Sequence, residues 1–158
     1  MKRIVSISTA SAFIFFIFIS FSFIGKKSGC DSNAVYEQAL KKLSSFSLLK
    51  DYRVYLKAAK KNTPAETVYF PMTLNRGVKY KFFGAQSGEY EGKLTISLFT
   101  LRNGKPDFLF ATNYENDLNK IYESIEFQSE STMNCLIAFA FKDGKEGCGV
   151  GISSFLKN

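Results

Sequence analysis

Histidine and tryptophan are absent from this 158-residue chain, and cysteine and proline occur three times each. Lacking His removes the commonest general base and the only side chain that titrates near neutral pH unaided. Three Cys without a His fall short of a four-ligand structural zinc site. They also leave any cysteine nucleophile without an imidazole to activate it. No Gly-rich phosphate loop, serine-nucleophile motif or metal-binding box occurs, and no repeat or low-complexity tract is present. These absences exclude the common hydrolase and nucleotide-dependent chemistries, so the expectation is a non-enzymatic protein without a cofactor.

The chain is 46% hydrophobic and 16% aromatic, with 17 Phe and 8 Tyr carrying most of the bulk. That is enough for one packed domain. The formal charge is +7, and loss of Lys2 and Arg3 with a cleaved leader would leave +5.

The N-terminus reads as a targeting segment. Lys2 and Arg3 precede an uncharged run from Ile4 to Ile24, followed by Gly25, Lys26 and Lys27. A positive start, an apolar stretch and small residues near its end (Ser20 and Ser22) make a secretory signal with a cut before Phe23. Two alternatives stand beside it. The run is 21 residues long, and about 20 suffice to cross a bilayer as an uncleaved anchor. "KSGC" would serve as a lipid-attachment box on Cys30, but Lys27 stands where an apolar residue is needed. The division expected is a signal peptide or anchor at 1–22, a linker at 23–32 and one domain at 33–158. All three readings place the domain outside the cytoplasm: periplasmic, cell-surface or extracellular. The membrane would be met only through this segment or a lipid on Cys30.

From Asn33 to about Leu49, Tyr36, Ala39, Leu40, Leu43 and Phe46 recur at helical spacing, with Asp31, Ser32 or Asn33 as caps. Ser44, Ser45 and Ser47 weaken the second half, so a short helix is expected. From Tyr52 onward the period is two. Tyr52, Val54 and Leu56, then Val68, Phe70, Met72 and Leu74, then Val78, Tyr80 and Phe82, then Leu94, Ile96 and Leu98 alternate with wetter neighbours. Pro71 places its strand at an edge or a bulge, and Asn103-Gly104 is a hairpin turn signal. Phe108 and Phe110, then Ile125 and Phe127, mark further short strands, and 112–120 is a polar loop. "MNCLIAFAFK" and "CGVGISSFL" flank "DGKEG" as a closing hairpin. The fold expected is mainly β: an antiparallel, jelly-roll-like sandwich with one short N-terminal helix.

"LNRGVKYKFF", "GKLTISLFTLRNGKPDF" and "CLIAFAFKDGKEGCGVGI" resemble the strands and turn of the bacterial pre-peptidase C-terminal-like domain over about residues 66–157. The mature chain also resembles small secreted bacterial proteins ending in a "DGKEGC"-like turn. The resemblance implies a β-sandwich, and it carries no catalytic residue with it.

By strand parity Cys135 shares a face with Ile137, Phe139 and Phe141, and Cys148 with Val150 and Ile152, so both are expected to face inward. A regular hairpin would hold them roughly 20 Å apart at about 3.4 Å per residue, against a disulfide limit of ~7 Å between Cα atoms. A Cys135–Cys148 bridge therefore requires a distorted hairpin or strands in different sheets. That bridge, a bridge involving Cys30, and buried thiols all stay open.

The basic run 50–61 carries Arg53 and Lys57 interleaved with Tyr52 and Tyr55, while 107–130 is acidic. In an exported protein an anionic glycan suits this run better than nucleic acid, which is not an expected partner. Its plainest reading is a solvated face. Asn113, Glu115, Asn116, Asp117 and Asn119 offer hard oxygen ligands without the pattern of a calcium loop. Glu89 and Glu91 share a strand face without the setting of a glycosidase cleft. The expected role is structural or binding at the cell envelope, the partner a glycan or protein. The alternative is a glycan- or peptide-binding module using Tyr55, Tyr90 and Tyr114 with Arg53 and Lys57.

Overall fold

The computed structural model describes residues 30–156; the expected leader and nearly all of the linker lie outside them. Asp31 starts the one α-helix among the described residues, its carboxylate accepting from the backbone N–H groups of Asn33 and Ala34 at 3.1 and 3.2 Å. The helix, α1, spans Ser32–Leu40, ending nine residues before the sequence pattern does. A turn at 41–45 follows, and residues 46–49 are claimed instead by β1 (Phe46–Leu56), whose Phe46 pairs with Leu156. Nine further strands follow: β2 (Thr67–Leu74), β3 (Lys79–Gln86), β4 (Leu94–Arg102), β5 (Lys105–Thr112), β6 (Tyr114–Glu115), β7 (Lys120–Ile121), β8 (Ser124–Gln128), β9 (Met133–Phe141) and β10 (Gly147–Leu156).

The long strands form two four-stranded antiparallel sheets, ordered β1-β10-β3-β8 and β2-β9-β4-β5; β6 and β7 make a separate small hairpin. Among the long strands only β4 and β5 connect within one sheet, through Asn103 and Gly104, both at positive φ. Every other connection crosses between sheets. Pro71 sits on the edge strand β2, where its missing donor costs no ladder bond.

The alternating residues read from the sequence fill the space between the sheets: Tyr52, Val54 and Leu56 from β1, Tyr80 and Phe82 from β3, and Leu94, Ile96 and Leu98 from β4 meet Ile137, Phe139 and Phe141 from β9. Phe139 packs against Tyr52 and Phe70 at ring distances of 5.1 and 6.0 Å. A second buried layer lies on the other side of the β10-containing sheet. There α1 sets Val35 and Ala39 against Phe83, Ala85, Cys148, Val150 and Ile152.

Two expectations are corrected here. β9 and β10 do not form a closing hairpin; they belong to different sheets, and 142–146 crosses between them. Nor does Cys148 face the inter-sheet core, since the whole apolar side of β10 points at the helix. Its other side is Gly147, Gly149, Gly151 and Ser153, with Phe155 near the end, and this is the side that meets the opposite sheet. A Cβ at Gly147 or Gly151 would overlap the Phe141 or Phe139 ring, and one at Gly84 would lie 2.6 Å from Leu94 Cδ2. Bare backbone on β10 and β3 thus makes room for three large side chains of the facing sheet.

The disulfide follows from this layering. Cys148, on the helix side, bonds Cys30 just ahead of α1, with Cα atoms 5.6 Å apart and 118 residues between them in sequence. Cys135 is a free thiol buried in the inter-sheet core, so the proposed Cys135–Cys148 pair is separated by the β10 sheet itself. With its sulfur committed to Cys148, Cys30 has no thiol left to carry a lipid. A disulfide of this kind suits an oxidising compartment. Among the described residues no helix is long and apolar enough to cross a membrane.

Candidate binding site

The residues singled out from sequence do not converge. Tyr55 is exposed and donates to Glu146 at 2.7 Å; that hydrogen bond raises its pKa above the usual tyrosine value. Tyr90 touches it edge-on, ring centroids 5.8 Å apart, but is itself buried. Tyr114 stands in another group, on β6, where its hydroxyl donates to Asn116 and Asn119 and Lys142 lies over its ring. Arg53 is engaged in holding the helix: it donates to Ser32 Oγ and Asn33 Oδ1 at 3.1 and 2.8 Å, lies over the Tyr36 ring, and pairs with Asp51. Lys57 is exposed just past the end of β1. Glu89 and Glu91 do not share a strand face: they lie in the 87–93 loop between β3 and β4, where Glu91 is ion-paired with Lys145 at 2.9 Å. Burial pushes the Cys135 thiol up to about 11, which keeps it neutral.

Four of the five side chains offering hard oxygen ligands, those of Asn113, Glu115, Asn116 and Asn119, are engaged within the protein. Asn113 is buried, and its amide stands in for a strand: Oδ1 accepts from Ile96 N–H at 2.7 Å and Nδ2 donates to the Tyr122 carbonyl at 3.2 Å. Its backbone pairs with Ile96 and Tyr122 as well. This one residue moors the β6–β7 hairpin to β4. Glu115 accepts from the Tyr122 hydroxyl, and Asn119 from Lys142.

One surface free of charged side chains is one that sequence reasoning passed over. α1 covers one sheet, and no described element covers the outward side of the other. Reading across that sheet's strands, the outward rows are Thr67–Ala140–Thr95, Tyr69–Ala138–Ser97–Thr112 and Pro71–Leu136–Phe99–Leu109. None of these side chains is charged, in a protein that is 22% charged overall. Small alanines on the central strand β9 leave a shallow depression of about 120 Å³ above Ala138 and Ala140. Tyr69 leans across it to meet Phe99, ring centroids 6.0 Å apart. Tyr69 and Leu109 remain 43% and 42% exposed. The signal was present in the sequence as Thr67, Tyr69, Pro71 and Thr73 on one parity and Thr95, Ser97 and Phe99 on another. Attention to the apolar parity hid it.

No protein-family model matches the chain, and no curated protein matches it.

Proposed function

We propose that this chain is an exported, non-catalytic binding protein of the cell envelope, wound as a jelly roll, whose uncharged sheet face holds a strand of neutral polysaccharide. The signal-like N-terminus and the Cys30–Cys148 disulfide support export. The observation that carries the binding reading is the three uncharged rows. A neutral glycan presents hydroxyls and apolar C–H faces, and the surface offers the Thr67 hydroxyl and the acceptor oxygens of Thr95 and Ser97, which donate to Ala140 and Thr112, beside the Tyr69 and Phe99 rings. A charged ligand would find no counter-charge there. A flat four-stranded face also suits an extended chain better than a compact molecule. A purely structural role is the second reading, favoured by the burial of Tyr90 and the separation of Tyr114 from the Tyr55–Tyr90 pair.

Retention in native gels containing amylose, xylan or soluble cellulose derivatives tests this. One of these is expected to retard the protein. Tyr69→Ala is expected to weaken the retention about tenfold, the equivalent of roughly 1.4 kcal/mol, with little change in melting temperature because the ring is half exposed. Retention unchanged in both Tyr69→Ala and Phe99→Ala, or lost instead in Tyr55→Ala, would overturn the assignment.

A further inference from the structure

A second surface, of different chemistry, lies beside the end of α1. Between the end of α1, β3, the start of β4 and the β6–β7 hairpin run two adjoining hollows of about 320 and 220 Å³ that share Gln86 and Ile121 in their walls. The larger falls at the lower end of the size range of small-molecule sites, about 300–1,000 Å³, and the smaller extends it. Lys42 lies at one end, and Lys93 and Lys142 at the other; Glu123 is the one acidic residue among the linings. The floor is apolar, from Leu94, Ile96 and Ile121.

The cations are positioned. Lys42 Nζ donates to the Gly84 carbonyl at 3.2 Å. Lys142 Nζ is held by Asn119 Oδ1 over the Tyr114 ring, and its side chain is only 17% exposed. Asp143 stands 3.9 Å away, beyond hydrogen-bond reach. An ammonium has three donors, so both lysines retain hydrogens for a ligand. The side-chain Oε1 of Gln86 accepts from Leu94 N–H at 2.7 Å, which fixes its amide group at the junction of the two hollows.

We infer that this groove binds a carboxylate-bearing monosaccharide, a hexuronate, with its carboxylate on Lys142, its hydroxyls on the Gln86 and Asn119 amides and its ring over the Leu94–Ile121 floor. Charge-assisted hydrogen bonds from a partly buried ammonium supply the anchor. A bare anion would leave the apolar floor uncovered, and the lysines lack the backbone N–H cradle that favours phosphate. The site is independent of the uncharged sheet face.

Titration of the isotope-labelled protein with sodium glucuronate, followed by amide NMR, tests it, with glucose and inorganic phosphate as parallel arms. Saturable shifts at Gln86, Asn119 and Ile121 are expected with glucuronate in the millimolar range, absent with glucose and at least fivefold weaker with phosphate. Lys142→Gln is expected to weaken binding about tenfold while the rest of the spectrum keeps its native positions. Lys93→Gln, at the same end of the groove as Lys142, provides the same reading should the first variant fold poorly, and neither should alter retention by neutral polysaccharide. No saturable shift, equal response to phosphate, or unchanged affinity in both variants would overturn the inference.

Discussion

Replacing Cys30 and Cys148 together by Ala is expected to lower the unfolding free energy by about 4–5 kcal/mol, because the bond closes a loop of more than a hundred residues in the unfolded chain. In a domain of this size that corresponds to a fall in melting temperature of roughly 10–20 °C. The native geometry accommodates the bond, with Cα atoms 5.6 Å apart, inside the usual range. Reduction should act as the double replacement does. Urea unfolding with and without reductant measures the effect, and a difference below about 1 kcal/mol would show that the bridge contributes little.

The second large effect is expected from a single methyl group. Gly151→Ala places a Cβ inside the Phe139 ring, which is wedged between Tyr52 and Phe70 at the middle of the core. No space exists for the ring to retreat without displacing one of those neighbours. The expected destabilisation is about 3 kcal/mol, the upper end of the overpacking range, despite the general tendency of Gly→Ala to stabilise through the unfolded state. Phe139→Leu in the same chain should recover part of the loss. A double-mutant cycle is expected to give a coupling of at least about 1 kcal/mol; strict additivity would mean that the two positions do not touch as described.

Gly151 also explains what was and was not legible in the sequence. Alternation identified the core-facing residues of β1 to β4, because each of those strands sets a greasy parity against a visibly wetter one. Pro71 and Asn103-Gly104 announced an edge and a turn for equally local reasons. β10 defeated the method: neither parity is charged, and the apolar side proved to lie beneath α1 while the glycine side met the core. Period two reports that two faces differ, and it cannot say which neighbour each one meets. The assignment of strands to sheets, which placed Cys135 and Cys148 in separate layers, depends on long-range pairing that no local pattern contains. The β6–β7 hairpin was hidden in a polar tract because its anchor, Asn113, makes its strand-like bonds with a side chain. The binding surface was missed for a related reason: its mark is an absence of charge on residues already accepted as the outer parity of strands.

The account's central claim is that β10 separates two buried layers, with its cysteine side under the helix and its glycine side in the sandwich core. Peptide mapping of the exported protein under non-reducing conditions tests this most directly. It is expected to recover one cross-linked pair of peptides, containing Cys30 and Cys148, with Cys135 alkylated only after denaturation. A Cys135–Cys148 cross-link, or ready alkylation of Cys135 in the native protein, would contradict it.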